Sequence, residues 1–221
     1  MSESCVIFAG GEPISAETAK EYKDYFDSSF VISADKGYEL AERLGVQSDL
    51  IIGDFDSAVN KPEGKNVEVY PCEKDDTDLM LAIKKGFEHG CDEFRIFGAT
   101  GGRLDHMIGN IQSLAYILSQ GGYGEIISDR ESVKLVSAGS YKIKHRKDFS
   151  LSLFAYSDSV EGLSISGVKY SAENVTLKNN FPLGISNVIK DGTDGSEDKF
   201  AHIRFQKGIL LIIQSYLFTD L

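Results

Sequence analysis

The sequence predicts an α/β N-terminal domain with a mainly parallel sheet, residues 1–130, followed by an all-β sandwich domain, residues 131–221. Three observations lead there. Up to about Asp129, short apolar runs alternate with amphipathic helical patterns, the order expected of a parallel sheet covered by helices. From Ser132 onward the helical period disappears, and only short strand-like runs remain, separated by Gly, Ser, Asn and Asp. A length of 221 residues supplies enough material for one large core or two smaller ones.

In the first domain the strand-like runs are 5–9, 30–34, 50–52, 68–70, 94–97 and 125–127. Residues 77–89 read as a helix, with Leu79, Leu81, Ala82, Ile83 and Phe87 apolar and Lys84 and Lys85 on the polar side. Residues 104–118 read as another, with Leu104, Met107, Ile108, Ile111, Leu114, Ala115 and Leu118 forming its apolar face. In the second domain the runs are 133–136, 151–155, 172–178, 185–189, 201–206 and 209–214. The acidic stretch 191–198 reads as a solvated hairpin connection, because its spacing is wrong for a calcium loop.

Three polar segments fall at the ends of first-domain strands. The first, Gly53-Asp54-Phe55-Asp56-Ser57, follows an apolar run. If the extended conformation persists, Asp54 and Asp56 project to one side, roughly 6–7 Å apart, and a hard cation fits between them. The same residues serve equally well as a polar turn with solvated carboxylates and a capping serine. The second, Asp75-Asp76-Thr77-Asp78, opens a helix. Capping and the macrodipole account for Asp75 and Asp76. Asp78 belongs either to the cap or to the same cleft as Asp54 and Asp56, and spacing does not decide between them. The third, Gly98-Ala99-Thr100-Gly101-Gly102-Arg103-Leu104-Asp105, is a glycine-rich strand-to-helix turn. Its main-chain N–H groups and the helix N-terminus suit an anion. Arg103 supplies a planar fork for phosphate oxygens, and Asp105 can orient a hydroxyl, a water or Arg103 itself.

Several classes are excluded. The chain has no G-x-x-x-x-G-K-[ST], no G-x-G-x-x-G and no G-x-S-x-G. Its four histidines have no metal-ligand spacing, and only His106 lies near a proposed site. The 23 basic against 34 acidic residues give a net charge of −11, which disfavours nucleic-acid and anionic-membrane partners and suits an anionic substrate that arrives with magnesium. Cys5, Cys72 and Cys91 are odd in number and lack C-x-x-C spacing; no signal peptide and no membrane-length apolar run is present. A reducing cytoplasm is the expected location.

Taken in order, Ala34-Asp35-Lys36-Gly37, Gly53-Asp54-Phe55-Asp56-Ser57, Asp76-Thr77-Asp78, the segment Gly98 to His106, Gly167-Val168-Lys169-Tyr170 and Gly184-Ile185-Ser186-Asn187 resemble the bacterial thiamine pyrophosphokinases nearly end to end. The resemblance implies transfer of diphosphate from ATP to the hydroxyethyl oxygen of thiamine, giving thiamine diphosphate and AMP, in a homodimer with sites between subunits. It further implies that Asp54, Asp56 and Asp78 hold magnesium, and that Asp35, Lys36, Thr77 and Asp105 line the cleft. Arg103 would hold phosphates, with Ser186, Asn187 and Tyr170 contacting thiamine. Tyr170 stands where many relatives carry a stacking tryptophan, and this chain has no Trp. A pyrophosphokinase for another hydroxymethyl heterocycle, such as a pterin, would lack the Gly-Val-Lys-Tyr and Ser-Asn elements. A non-catalytic nucleotide or thiamine sensor would tolerate loss of the metal ligands.

Overall fold

The computed structural model describes residues 3–55, 64, 66–71, 76–192 and 199–217. The chain divides into two compact units, Met1–Asp129 and Arg130–Leu221.

The first unit contains β1 (Glu3–Phe8), α1 (Ala16–Glu21), α2 (Lys23–Ser28), β2 (Phe30–Ala34), α3 (Gly37–Arg43), β3 (Leu50–Gly53), β4 (Val67–Val69), α4 (Asp78–Glu88), β5 (Cys91–Phe97), α5 (Leu104–Ser119) and β6 (Tyr123–Ile127). Among the described residues its six strands are all parallel, in the order β6-β5-β1-β2-β3-β4. Cys5, Val6, Ile7 and Phe8 of the central strand have no exposed surface, which is why that run is apolar without alternation. One sheet face packs Val6, Phe8, Val31 and Phe97 against Phe26 of α2 and Leu40 and Ala41 of α3. Helices α4 and α5 lie against the strands with buried Leu79, Ala82, Ile83, Leu114 and Ile117. Each buried leucine or isoleucine side chain among them contributes about 1.5–3 kcal/mol by leaving water. Gly86 lets α4 approach closely, since a Cβ there would lie 2.5 Å from the Phe94 ring.

The strand order reverses between β1 and β5. The chain steps outward from β1 through β4, then returns to the other side of β1 for β5 and β6. The carboxyl ends of the strands at such a reversal are where open α/β sheets bind ligands.

The second unit contains β7 (Glu131–Lys144), β8 (Phe149–Ala155), β9 (Ser159–Ser166), β10 (Ala172–Lys178), β11 (Gly184–Asn187) and β12 (Phe200–Tyr216). Strands β7 and β12 pair antiparallel along most of their length. The first part of β12 also pairs with β9, which carries β10, and its last part pairs with β8, which carries β11. Two half-sheets thus share one pair of long strands and fold over a core including Leu135, Leu153, Leu163, Ile165, Ile203 and Ile212. The sequence divides β12 into runs at 201–206 and 209–214. The break is Gly208, with φ +103 and no room for a Cβ beside the Ser159 carbonyl, where the pairing with β7 shifts register while the strand continues. Strand β9 has no counterpart among the sequence runs, because Gly162 at φ +70 interrupts its apolar alternation.

Candidate active site

A cleft of about 600 Å³ opens at the carboxyl ends of the first unit's strands. Five loops build it. After β1, Ala9, Gly10 and Gly11 form one wall, tied to the turn after β5 by Gly11 N–H to Gly98 O at 2.6 Å and Glu12 N–H to Thr100 O at 3.0 Å. No side chain fits at Gly11, where a Cβ would lie 2.5 Å from the Gly98 carbonyl oxygen. After β2 come Asp35 and Lys36, after β3 Asp54, ahead of α4 Asp76 and Thr77, and after β5 the turn Gly98 to Arg103. The first turns of α4 and α5 add Asp78, Asp105, His106 and Asn110.

Asp35 is the most constrained of these. Its φ is +48, its N–H donates to the Ile52 carbonyl at 2.8 Å, and its Oδ1 is buried without a hydrogen-bond partner among the described residues. Burial raises its carboxyl above the ordinary value, and the Asp78 and Asp54 carboxylates push the same way, against a hydrogen bond from the Lys36 backbone. An unpaired buried acceptor within electrostatic reach of two more carboxylates is an oxygen-rich setting that fits a hard divalent cation.

The extended arrangement expected through Asp54 and Asp56 does not hold. Strand β3 ends at Gly53, and Phe55 turns into the left-handed region at φ +54, its ring buried edge-on to Tyr38. Asp54 is left lining the cleft, while Asp56 lies outside the described residues. Among the described residues, no three His, Cys, Asp or Glu side chains converge to hold a metal ion by themselves.

The helix starts resolve two of the readings. Thr77, not Asp76, is the N-cap of α4, accepting the Met80 N–H at 3.1 Å; Asp76 is instead paired with Lys84 at 2.7 Å, and Asp75 lies outside the described residues. Asp78 follows the cap and lines the cleft. At α5 the N-cap position is Arg103, whose Nε and Nη2 donate to the two Asp105 oxygens at 3.1 and 2.5 Å. Asp105 also accepts the His106 N–H at 3.0 Å. Arg103 holds the Asp105 carboxyl below its usual range.

In the second unit, Tyr170 is 63% exposed. Its backbone is clamped by Asn187, whose Oδ1 accepts the Tyr170 N–H at 3.0 Å and whose Nδ2 donates to the Tyr170 carbonyl at 2.8 Å. Lys169 N–H to Val188 O at 2.8 Å and Lys190 N–H to Gly167 O at 3.0 Å extend that pairing. Ser186 sits at φ +58 with its N–H on the Ser152 hydroxyl, leaving its own side chain exposed.

Residues 22–122 match the family model for the thiamin pyrophosphokinase catalytic domain, and residues 140–210 that for the thiamin pyrophosphokinase vitamin B1 binding domain. Thiamine pyrophosphokinase of Bacillus subtilis (strain 168) is 32% identical over 217 residues, 95% of this chain and 97% of that one. The chain belongs to the thiamine pyrophosphokinase family. A crystal structure of thiamine pyrophosphokinase from Bacillus subtilis superposes with a TM-score of 0.83 at 28% identity, covering 99% of this chain and 100% of that one. One from Geobacillus thermodenitrificans, at 24% identity, shares the fold with a TM-score of 0.78 over 99% and 100% of the two chains.

Two parts of the cleft, the Gly10-Gly11 wall and Asn110, have no counterpart in the site expected from the sequence. Gly10 and Gly11 form the wall at the strand-order reversal, and two adjacent glycines directly after the first strand were the available signal. Asn110 donates to the Ala99 carbonyl at 2.8 Å and fixes the glycine-rich turn, a polar residue in an otherwise apolar stretch. Thr100 is 2% exposed and its hydroxyl has no partner among the described residues. No helix among the described residues is long and apolar enough to cross a membrane.

Proposed function

We propose that the first-unit cleft is where this chain carries out its reaction. That reaction is the family's: transfer of diphosphate from ATP to the hydroxyethyl oxygen of thiamine, giving thiamine diphosphate and AMP. The observation that carries the assignment is the meeting of Asp35, Asp54, Asp78, Arg103 and a glycine-rich turn at one strand-order reversal. In this reading residues 1–130 form the ATP- and magnesium-binding catalytic domain and 131–221 the thiamine-binding domain.

Magnesium would be held by Asp54, Asp56 and Asp78 together with substrate phosphates, a partial cage of the kind this ion favours. When bound it would neutralise phosphate charge. Arg103 reaches the phosphates with the part of its fork that Asp105 does not occupy, and Asp105 sets its orientation. A carboxylate held below its usual range by an arginine suits positioning better than proton acceptance. Asp35 and Lys36 line the nucleotide side, and Thr77 fixes the start of α4 so that Asp78 faces inward. Phosphoryl transfer asks mainly for such positioning and charge neutralisation.

Thiamine stacks on Tyr170, with Ser186 beside it and Asn187 holding the Tyr170 loop. The chain works as a homodimer, each site taking its cleft from one subunit and its Tyr170 from the other, in the cytoplasm. The exposure of Tyr170, Phe181, Leu183 and Ile185 supports a covered surface there. The test is to incubate the purified chain with ATP, magnesium and thiamine and follow AMP and thiamine diphosphate by mass spectrometry. Hydrolysis of ATP without thiamine diphosphate, or no turnover, would reject the reading.

A further inference from the structure

Charge is divided unevenly along the chain. Met1–Asp129 holds 11 lysines and arginines against 24 aspartates and glutamates, a net of −13, whereas Arg130–Leu221 holds 12 against 10, a net of +2. On one half-sheet of the second unit, Lys142 and Arg204 stand on adjacent strands. Lys142 of β7 stands opposite His202 of β12, which stands opposite Ser166 of β9. Two residues along, Ser140, Arg204 and Ser164 form a parallel row. Side chains alternate along a strand, so both rows project from the same face, while the neighbouring Ile143, Ile165 and Ile203 are buried on the opposite one.

These rows floor a concavity of about 700 Å³. Glu173 is the one carboxylate among its described lining residues, and neither Lys142 nor Arg204 has an ion-pair partner among the described residues. Lys142 and Arg204 stand diagonal to one another across β7 and β12, within reach of long side chains, and like charges that close repel. The cost is offset if an anion sits between them, where a guanidinium fork, an ammonium and serine hydroxyls all donate. Two donor rows roughly 6–7 Å apart match linked phosphates better than one small ion.

We propose that this concavity binds a di- or triphosphate group through Lys142, Arg204 and the flanking serine hydroxyls. Among the described residues it shares none with the cleft of the first unit.

Calorimetric titration of the full chain with tripolyphosphate, in EDTA at low salt, tests this. Without a divalent cation the aspartates of the first-unit cleft repel the anion, so the titration reads the basic concavity. Saturable binding of one anion per chain is expected, weakened by salt and lowered about tenfold by either Arg204→Gln or Lys142→Gln. Arg103→Gln should leave it unchanged, and melting curves will show that the exposed-site variants remain folded. Absence of binding, indifference to both second-unit variants, or loss with Arg103→Gln would overturn the proposal. So would equal affinity for orthophosphate, or salt-sensitive self-association abolished by Arg204→Gln with no anion uptake, which would make a second acidic copy the occupant.

Discussion

Asn187 grips Tyr170 by its backbone, with a carboxamide accepting one main-chain hydrogen bond and donating the other across 17 residues of sequence. Its Oδ1 also accepts the Val188 N–H at 2.9 Å, so little of the amide is left for a ligand. In the proposed site the residue would act on thiamine through Tyr170. Asn187→Ala should raise the thiamine KM about tenfold while leaving the KM for ATP unchanged, as expected for a lost backbone clamp. Tyr170→Ala should do the same and Tyr170→Trp should hold or improve affinity. If Asn187→Ala is silent while Tyr170→Ala is not, the clamp is dispensable but the stacking reading stands.

Subunit mixing tests the shared site. A heterodimer of Asp54→Asn and Tyr170→Ala chains places both defects in one site and restores the other, provided each site draws its cleft and its Tyr170 from different subunits. Recovered turnover at low thiamine is the expected result. No recovery after demonstrated exchange places both parts in one chain.

The Arg103–Asp105 pair is 73% and 62% exposed at its side chains, so it contributes little to stability. In the proposed site its value is orientation. Arg103→Lys keeps the charge and loses the fork, and should lower kcat about 10²- to 10³-fold with almost no change in Tm. Asp105→Asn should lose much of the same activity, and the double variant should cost far less than the product of the two. Because Arg103 keeps Asp105 ionised below the ordinary carboxylate range, the acid limb of the rate profile should not move in Asp105→Asn.

Magnesium dependence should reside in the aspartates. Asp54→Asn and Asp78→Asn should each depress turnover by about 10² or more, with fold and melting behaviour retained. The magnesium concentration needed for half-maximal activity should rise in both. Near-normal activity with unchanged magnesium requirement in both variants would remove them from the metal site.

The central strands were readable because β1 and β2 are buried on both faces and so lack polar interruption, and α4 and α5 because each keeps one apolar side. Legibility failed where a glycine changes the backbone without changing the composition: at Gly162 inside β9, at Gly208 inside β12, and in the Gly10-Gly11 wall. Spacing left Asp78 between the cap and the cleft, whereas the positions of Asp54 and Arg103 followed from a strand end and a helix start, which are local. The left-handed turn at Phe55 did not, because its cause is the packing of that ring against Tyr38, a contact local pattern does not carry. The Asn187 clamp is hidden for the same reason.

Asp35 gives the last prediction. Its carboxyl is raised by burial and by Asp78 and Asp54, so the folded chain holds that proton to higher pH than the unfolded chain. Between the unfolded value and the raised one the native state binds more protons, and stability falls as pH rises through that window. Above it the metal-free protein bears the whole cost of an ionised Asp35; below the unfolded value it bears none. Asp35→Asn should therefore raise the Tm of metal-free protein at pH 7, by about 1–2 °C given how far solvent screens a half-buried group, and the gain should vanish toward pH 3. Magnesium should reverse the order at pH 7, since a cation compensates the wild-type cluster more than the variant's. A pH-independent Tm difference would mean that lost packing or a relaxed backbone at φ +48, not the carboxylate's charge, governs the site.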